Sequence, residues 1–425
     1  MSPSARPRET AETAPVAALV PTYNRSRMLA EALDSILAQT ARPARVLVVD
    51  DGSTDDTAAV VARYEGRVEY ARQENAGKPV ALNTGLRLLR EPLVWIFDDD
   101  DIAEPRAVET LCDALRRDEG AGFAYGLLDT FEGEWPAPVS PPLTCYAADD
   151  RKALYVQLCQ DFFLWQGAML VRREAFDAVG PFDERFTRSQ DYQMALRLAR
   201  RHRGVAVPEV ILHQRQHPGT RGPRHAAVGA DEVEDRWTRF NRLMFREIHA
   251  DHALDEFVIG EDAPLSERAR VTGLVQRGAI MARKGVWDLA TSDTREAGEA
   301  ARRLGLSALN PQERAALAVV FEHGARSWFR TTGEAMAFAR ATAAFGHPDL
   351  VAAVRGHLLL PITNRARLWA SRPNKTAEAR QIARVLAAFA RPGTVRPYLD
   401  ARGSPRRQRT APLAPRAAGR GRPAA

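Results

Sequence analysis

Four aspartates, Asp98, Asp99, Asp100 and Asp101, stand in a row directly behind the apolar run Leu93-Val94-Trp95-Ile96-Phe97. An apolar run of that length, bounded by turn signals, reads as a buried strand. Like charges at the end of a buried strand repel and raise one another's pKa, so a positive partner is expected there. Hard divalent cations take oxygen ligands, and Mg²⁺ or Mn²⁺ is commonly held by a few carboxylates plus phosphate oxygens. For an isolated acidic run, a solvated turn is the plainer reading. Two further features stand at equivalent places: Tyr23 follows the apolar Ala17 to Val20, and Asp51 follows Val46-Leu47-Val48-Val49.

The elements that must position these groups alternate. Strand patterns at 17–20, 46–49, 68–71 and 93–97 are separated by helix patterns at 28–39, 57–64, 79–89 and 105–116. Strands separated by helices of this length imply parallel crossovers in an α/β sheet. Ligands of such sheets bind at the carboxyl ends of the strands, where Tyr23, Asp51 and the aspartate run all fall. Residues 132–150 read as an exposed loop, and 151–217 continue the same domain with strands at 168–171 and 205–212. The expected divisions are a disordered N-terminus over 1–14, an α/β domain over 15–220, a linker over 221–230, a helical domain over 231–390 and a disordered tail over 391–425. Within the helical part, Gly278, Gly285, Trp287, Ala290 and Ala297 resemble one tetratricopeptide-like hairpin near 271–304, with a generic helical bundle as the alternative.

Composition bounds the class. The chain has 425 residues, 45% hydrophobic and 27% charged, which is ordinary for a globular protein. Its formal charge of +6 is misleading, because residues 391–425 hold nine Arg and one Asp and leave the remainder at −2. No specific nucleic-acid partner is expected of so neutral a body. The basic tail could make weak contact with an anionic membrane surface, or be inert. No apolar stretch is long enough to span a bilayer, and the first residues lack the apolar core of a secretion signal. Three cysteines, Cys112, Cys145 and Cys159, show no metal-site spacing. A cytoplasmic protein follows, peripheral at the inner face of the membrane if the tail engages it.

No dinucleotide fingerprint or phosphate loop sits at the strand ends. What sits there resembles the family 2 glycosyltransferases of the GT-A fold. The matching stretches are Val20-Pro21-Thr22-Tyr23-Asn24-Arg25, Val48 through Asp55, Asn75-Ala76-Gly77-Lys78 through Asn83-Thr84-Gly85, Asp98 through Asp101 with Pro105, and Gln190-Asp191-Tyr192 through Leu198. The resemblance covers about 17–220 and implies a Rossmann-like mixed sheet followed here by an all-α extension. It implies that Tyr23 stacks on a nucleotide base, that Asp51 accepts from the base N–H, that Pro21 shapes the turn, and that Pro21 and Asn24 join them in binding the nucleotide-sugar. Asn75, Gly77, Lys78 and Asn83 would meet ribose or phosphate oxygens. Asp98 and Asp100 match the DxD metal motif, with Asp99 and Asp101 left for sugar hydroxyls or supporting bonds. His217 would be a third metal ligand, with His213 as the competing candidate.

The family's pair of acidic residues before the last helix is Gln190-Asp191 here, so the first carboxylate is absent. The second, Asp191, matches the general base. Trp165, Gln166 and Gly167 resemble the acceptor-side loop. The implied protein is an inverting transferase dependent on Mn²⁺ or Mg²⁺. It would move a sugar from a nucleotide-diphospho-sugar, by family habit a UDP-sugar, to a carbohydrate or lipid-linked acceptor in envelope glycan or glycoconjugate synthesis. Two rivals stand beside it. One is a non-catalytic sugar-nucleotide-binding scaffold acting through a protein partner of the helical domain. The other is a sugar-1-phosphate nucleotidyltransferase, which would open on a Gly-rich loop that this chain lacks.

Overall fold

The computed structural model describes residues 13–143, 145–148, 150–216, 233–319, 337 and 340–357. The chain divides into two compact units, with Cys159–Asp161 grouping with the second, which otherwise begins at Val233. His217, the expected linker 221–230 and the expected tail 391–425 lie outside the described residues.

The first unit is built on one mixed sheet of eight strands. In chain order its elements are β1 (Thr13–Thr22), α1 (Ser26–Leu37), β2 (Arg42–Asp50), α2 (Thr57–Ala62), β3 (Glu69–Arg72), α3 (Lys78–Leu88) and β4 (Leu93–Ile96). They continue as β5 (Ile102–Ala103), α4 (Ala107–Arg117), β6 (Ala121–Glu132), α5 (Arg151–Gln160), β7 (Met169–Arg172), α6 (Arg173–Val179), α7 (Gln190–Arg201) and β8 (Arg203–Gln216). The strand order is β3-β2-β1-β4-β7-β6-β8-β5. β3, β2, β1 and β4 run parallel, β7 runs antiparallel to both β4 and β6, and β8 is parallel to β6.

The parallel half follows the sequence pattern because β4, nearly all of β1 and the last residues of β2 are buried on both faces. Val16, Ala18, Val20, Val46, Val48, Trp95 and Phe97 join one core with Leu29, Leu33 and Ile36 of α1 and Val108 and Leu111 of α4. Two features differ from expectation. Thr13 and Ala14 open β1, paired with Arg42 and Pro43, so the order begins inside the segment expected to be disordered. β6 was missed altogether. Its sequence, AGFAYGLLDTFE, carries two glycines that weaken a strand pattern. The pairing explains them: a Cβ on Gly126 would fall 2.4 Å from Ile211 Cγ1, so the close approach of β8 demands glycine.

The second unit contains α8 (Val233–Asp251), α9 (Glu267–Arg283), α10 (Trp287–Arg303) and α11 (Pro311–Val319). α9 and α10 are joined through Gly285, whose φ is +73°. Gly278 lets α10 come close, since a Cβ there would sit 3.1 Å from Thr294 Oγ1. Buried Asp293 of α10 accepts from Arg277 Nε and Nη2, each at 2.8 Å, and faces His249 Nε2 at 3.1 Å. Among the described residues, no helix is long and apolar enough to cross a membrane.

Candidate active site

Many of the sequence-predicted residues lie in the loops that follow β1, β2, β3 and β4. After β1 the chain turns sharply at Asn24, which has φ +52°. Asn24 ties this loop to the one after β2: its backbone N–H donates to Ser53 Oγ at 2.9 Å, and its Oδ1 accepts from Thr54 N–H at 2.7 Å. Tyr23 is half-buried beside it. Pro21 pairs with Val49, and the strands continue into the loops as Asp51 N–H donates to Thr22 O at 2.9 Å.

Asp51 is buried and organises the next loop. Its Oδ1 accepts from Gln73 Nε2 at 2.8 Å and Ala76 N–H at 2.9 Å. Its Oδ2 accepts from Gly77 N–H at 2.8 Å and Asn75 Nδ2 at 3.2 Å. A carboxylate offers about four lone-pair sites, and these bonds use them all. A base N–H would share this carboxylate with the loop it holds. Gly52 allows the two loops to meet, because a Cβ there would lie 2.9 Å from Asn75 N. Gly77, with φ +98°, makes the corner at which α3 begins and brings Lys78 to its first turn.

The aspartate run forms a tight turn, with Asp101 N–H to Asp98 O at 3.5 Å. This turn breaks the alternation expected of an extended DxD pattern. One carboxylate oxygen each from Asp98, Asp100 and Asp101 lie within 4.8 Å of one another. Asp101, expected to serve hydroxyls or support, therefore joins the cluster. Asp99 points elsewhere, accepting from Thr22 Oγ1 at 2.7 Å and Arg25 Nη1 at 2.9 Å. The same Arg25 nitrogen reaches Asp100 Oδ2 at 2.5 Å. Lys78 Nζ donates to Asp98 Oδ1 at 2.6 Å. Burial pulls the Lys78 ammonium down, but the charge of Asp98 and its hydrogen bond outweigh that and leave the pKa raised, with Asp191 and Asp100 adding to the rise. Burial, with the charges of Asp100 and Asp98, pushes the Asp101 carboxyl well up.

Asp191 stands in the first turn of α7, its Oδ1 accepting from Tyr192 N–H at 2.8 Å. Burial raises its pKa, Lys78 pulls against that, and Asp98 adds to it. Asp191, Lys78 and Asp98 therefore influence one another's charge. The segment Trp165-Gln166-Gly167 leads into β7, whose register against β4 pairs Trp95 with Leu170. Trp95 Nε1 donates to Gly167 O at 2.8 Å, so this segment runs toward the end of β4 where the aspartates begin. Trp165 packs on Phe162, which packs in turn on Tyr192 beside Asp191. Gln166 is 8% exposed, and both of its amide atoms are buried without a hydrogen-bond partner.

Two expected positions are corrected. Asn83 is buried, with Nδ2 donating to Phe182 O at 3.0 Å and Glu184 Oε1 at 3.1 Å, while Oδ1 accepts from Phe182 N–H at 2.8 Å. It pins α3 to that loop instead of facing ribose or phosphate. His213 has both ring nitrogens engaged, Nδ1 with Asp129 Oδ1 at 2.7 Å and Nε2 with Glu104 Oε2 at 3.0 Å, and it stacks on Trp135. It has no nitrogen left for a metal. The residue that ties β8 to the aspartate turn is buried Arg215, whose backbone N–H donates to Asp101 Oδ1 at 2.9 Å and whose Nε donates to Asp100 O at 2.9 Å. Its Nη2 bonds Glu31 Oε2 at 2.7 Å, and the guanidinium lies over the Phe131 ring. Nothing local in the sequence marked Arg215. Arg25 closes the Val20–Arg25 motif, whose pattern gives it no role.

Residues 17–180 match the family model described as glycosyl transferase family 2. This stretch is a family 2 glycosyltransferase domain on a mixed α/β sheet, and helices follow it in the chain. Among curated proteins, it is similar to an uncharacterized glycosyltransferase of Rickettsia prowazekii, 26% identical over 241 residues, 55% of this chain and 73% of that protein. It is also similar to a chondroitin synthase of Escherichia coli, 29% identical over 187 residues, 43% of this chain but 26% of that protein. Among solved structures, S. aureus TarS 1-349 is 16% identical, with a TM-score of 0.47 over 84% of this chain and 93% of that one, a distance at which no site is carried across.

Proposed function

We propose that the protein is an inverting, divalent-metal-dependent transferase that moves a sugar from a nucleotide-diphospho-sugar to an acceptor hydroxyl. The observation that carries this reading is the grouping of Asp98, Asp100 and Asp101 with Lys78 at the carboxyl end of β4. Three carboxylate oxygens within 4.8 Å of one another are a donor set suited to Mn²⁺ or Mg²⁺. When bound, such an ion would neutralise charge building on the departing diphosphate.

The rest falls to the chain's own side chains. Asp191 takes the proton from the acceptor hydroxyl as its oxygen bonds to C1 of the sugar. The C1–O bond to the diphosphate breaks on the opposite face, and the nucleoside diphosphate leaves. One displacement without a covalent intermediate inverts the anomeric centre. Lys78, at the start of α3, lies where it can pass from Asp98 to a phosphate oxygen. Tyr23 offers a half-buried ring to the base, and Asn75 and Gly77 present the loop that Asp51 holds. Trp165 and the unpartnered amide of Gln166 suit sugar hydroxyls on the acceptor side.

The name of the chondroitin synthase relative supports a carbohydrate acceptor. The test is a thermal-shift screen of nucleotide-sugars with and without Mn²⁺, followed by transfer assays on the donors that bind. Stabilisation by a nucleotide-sugar only when Mn²⁺ is present is the expected result. Indifference to every nucleotide-sugar tried would overturn the proposal.

A further inference from the structure

The four aspartates of the β4 turn face two cations, and each cation sits on a candidate metal ligand. Lys78 Nζ is 2.6 Å from Asp98 Oδ1, and Arg25 Nη1 is 2.5 Å from Asp100 Oδ2. The two are held differently. Lys78 has Asp98 as its one short partner, whereas Arg25 Nη1 also bonds Asp99 Oδ1 at 2.9 Å. Asp99 is excluded from the three-carboxylate cluster and is fixed from its other side by Thr22 Oγ1 at 2.7 Å. Asp99 thus has its own task, which is to hold Arg25 against the cluster.

We infer that Arg25, tethered by Asp99, is a built-in counter-cation that occupies Asp100 until a divalent cation takes its place, and that it then turns to the diphosphate of the donor. The inference rests on the metal reading of the cluster and adds a competition to it. Asp100 cannot give the same oxygen fully to a guanidinium and to a metal ion. When the ion enters, Arg25 gives up its bond to Asp100 and keeps the one to Asp99. Its remaining N–H groups form a planar fork suited to phosphate oxygens. Arg25 is therefore a positioning residue that makes metal alone a weak ligand and metal with diphosphate a strong one. Each partner removes a cost of binding the other, which is positive coupling between them.

Calorimetric titration of the full chain with Mn²⁺ alone tests this, comparing wild type with Arg25→Gln and Arg25→Lys. Arg25→Gln deletes the competing charge and should bind Mn²⁺ about tenfold more tightly than wild type. Arg25→Lys keeps the charge and should stay near wild type. In the same variants the gain in UDP affinity produced by Mn²⁺ should shrink for Arg25→Gln and be only partly kept by Arg25→Lys, which has the charge but lacks the fork. Equal or weaker Mn²⁺ binding by Arg25→Gln overturns the competition. Absence of Mn²⁺ binding by wild type instead sinks the underlying metal reading. Should Arg25→Gln fail to fold, the wild-type chain answers through the arginine side-chain N–H resonances. A shift of the Arg25 signal on titration with Mg²⁺ is expected, and an unmoved signal at saturation overturns the inference.

Discussion

In the proposed mechanism Asp191 bears the heaviest chemical demand of any single residue. A positioned general base contributes roughly 10²- to 10⁴-fold. Asp191→Asn keeps the shape and the start of α7, so transfer should fall by about that factor while Mn²⁺-dependent nucleotide affinity changes less than about threefold. Single-turnover transfer beside calorimetric nucleotide binding checks this, and near-normal turnover removes Asp191 from the mechanism. The pH profile carries a linked expectation. Burial raises the Asp191 carboxyl above its ordinary 3.8, against the pull of Lys78. The base works deprotonated, so activity should be lost as pH falls, on an acid limb lying above the ordinary carboxylate range. Asp191→Asn should flatten that limb in whatever activity remains. A wild-type limb at an ordinary carboxylate value would count against this assignment.

At the scale of elements, the site depends on how loops are tied to the sheet. Asn83 fastens α3, and with it Lys78, to the 182–184 loop through three hydrogen bonds. Asn83→Ala leaves the Phe182 backbone groups buried without that partner, and should cost about 1–3 kcal/mol. Urea denaturation measures it, and a loss within experimental error would refute the pinning role. The far side of the site hangs on β8 and β5, where His213 lies between Asp129 and Glu104. Burial lowers its pKa, but the bonds and charges of the two carboxylates prevail and leave it raised. A group raised in the folded state stabilises fully below its unfolded pKa, and that contribution is lost as pH rises through the folded one. Stability should therefore decline from the ordinary histidine range upward, and His213→Gln should remove this part of the slope. Thermal melts across that range decide it. An unchanged slope in the variant would show that His213 is not its source.

For the whole molecule, the proposed metal binding should be linked to stability. An ion bound only by the folded first unit stabilises it by about 2.7 kcal/mol at one hundred times its Kd. Calorimetric melting with Mn²⁺ and then with a chelator should move the unfolding of the first unit, and Asp100→Ala should abolish the shift; an equal shift in that variant would refute Asp100 as a ligand. The chain's own order of residues determined the α/β alternation, the carboxylates at the strand ends and the motifs of the family, because periodicity and turn chemistry are local. It could not decide which aspartates gather, since that depends on a tight turn after β4 and on Arg25, 75 residues away from Asp100. Nor could it show that Asn83 is bound to Phe182, 99 residues distant, or that Arg215 reaches Asp100 across 115. Side-chain partners this far apart in sequence are chosen by the packing of the sheet. Only the tertiary structure therefore separated the aspartates that gather from the residues that hold their loops.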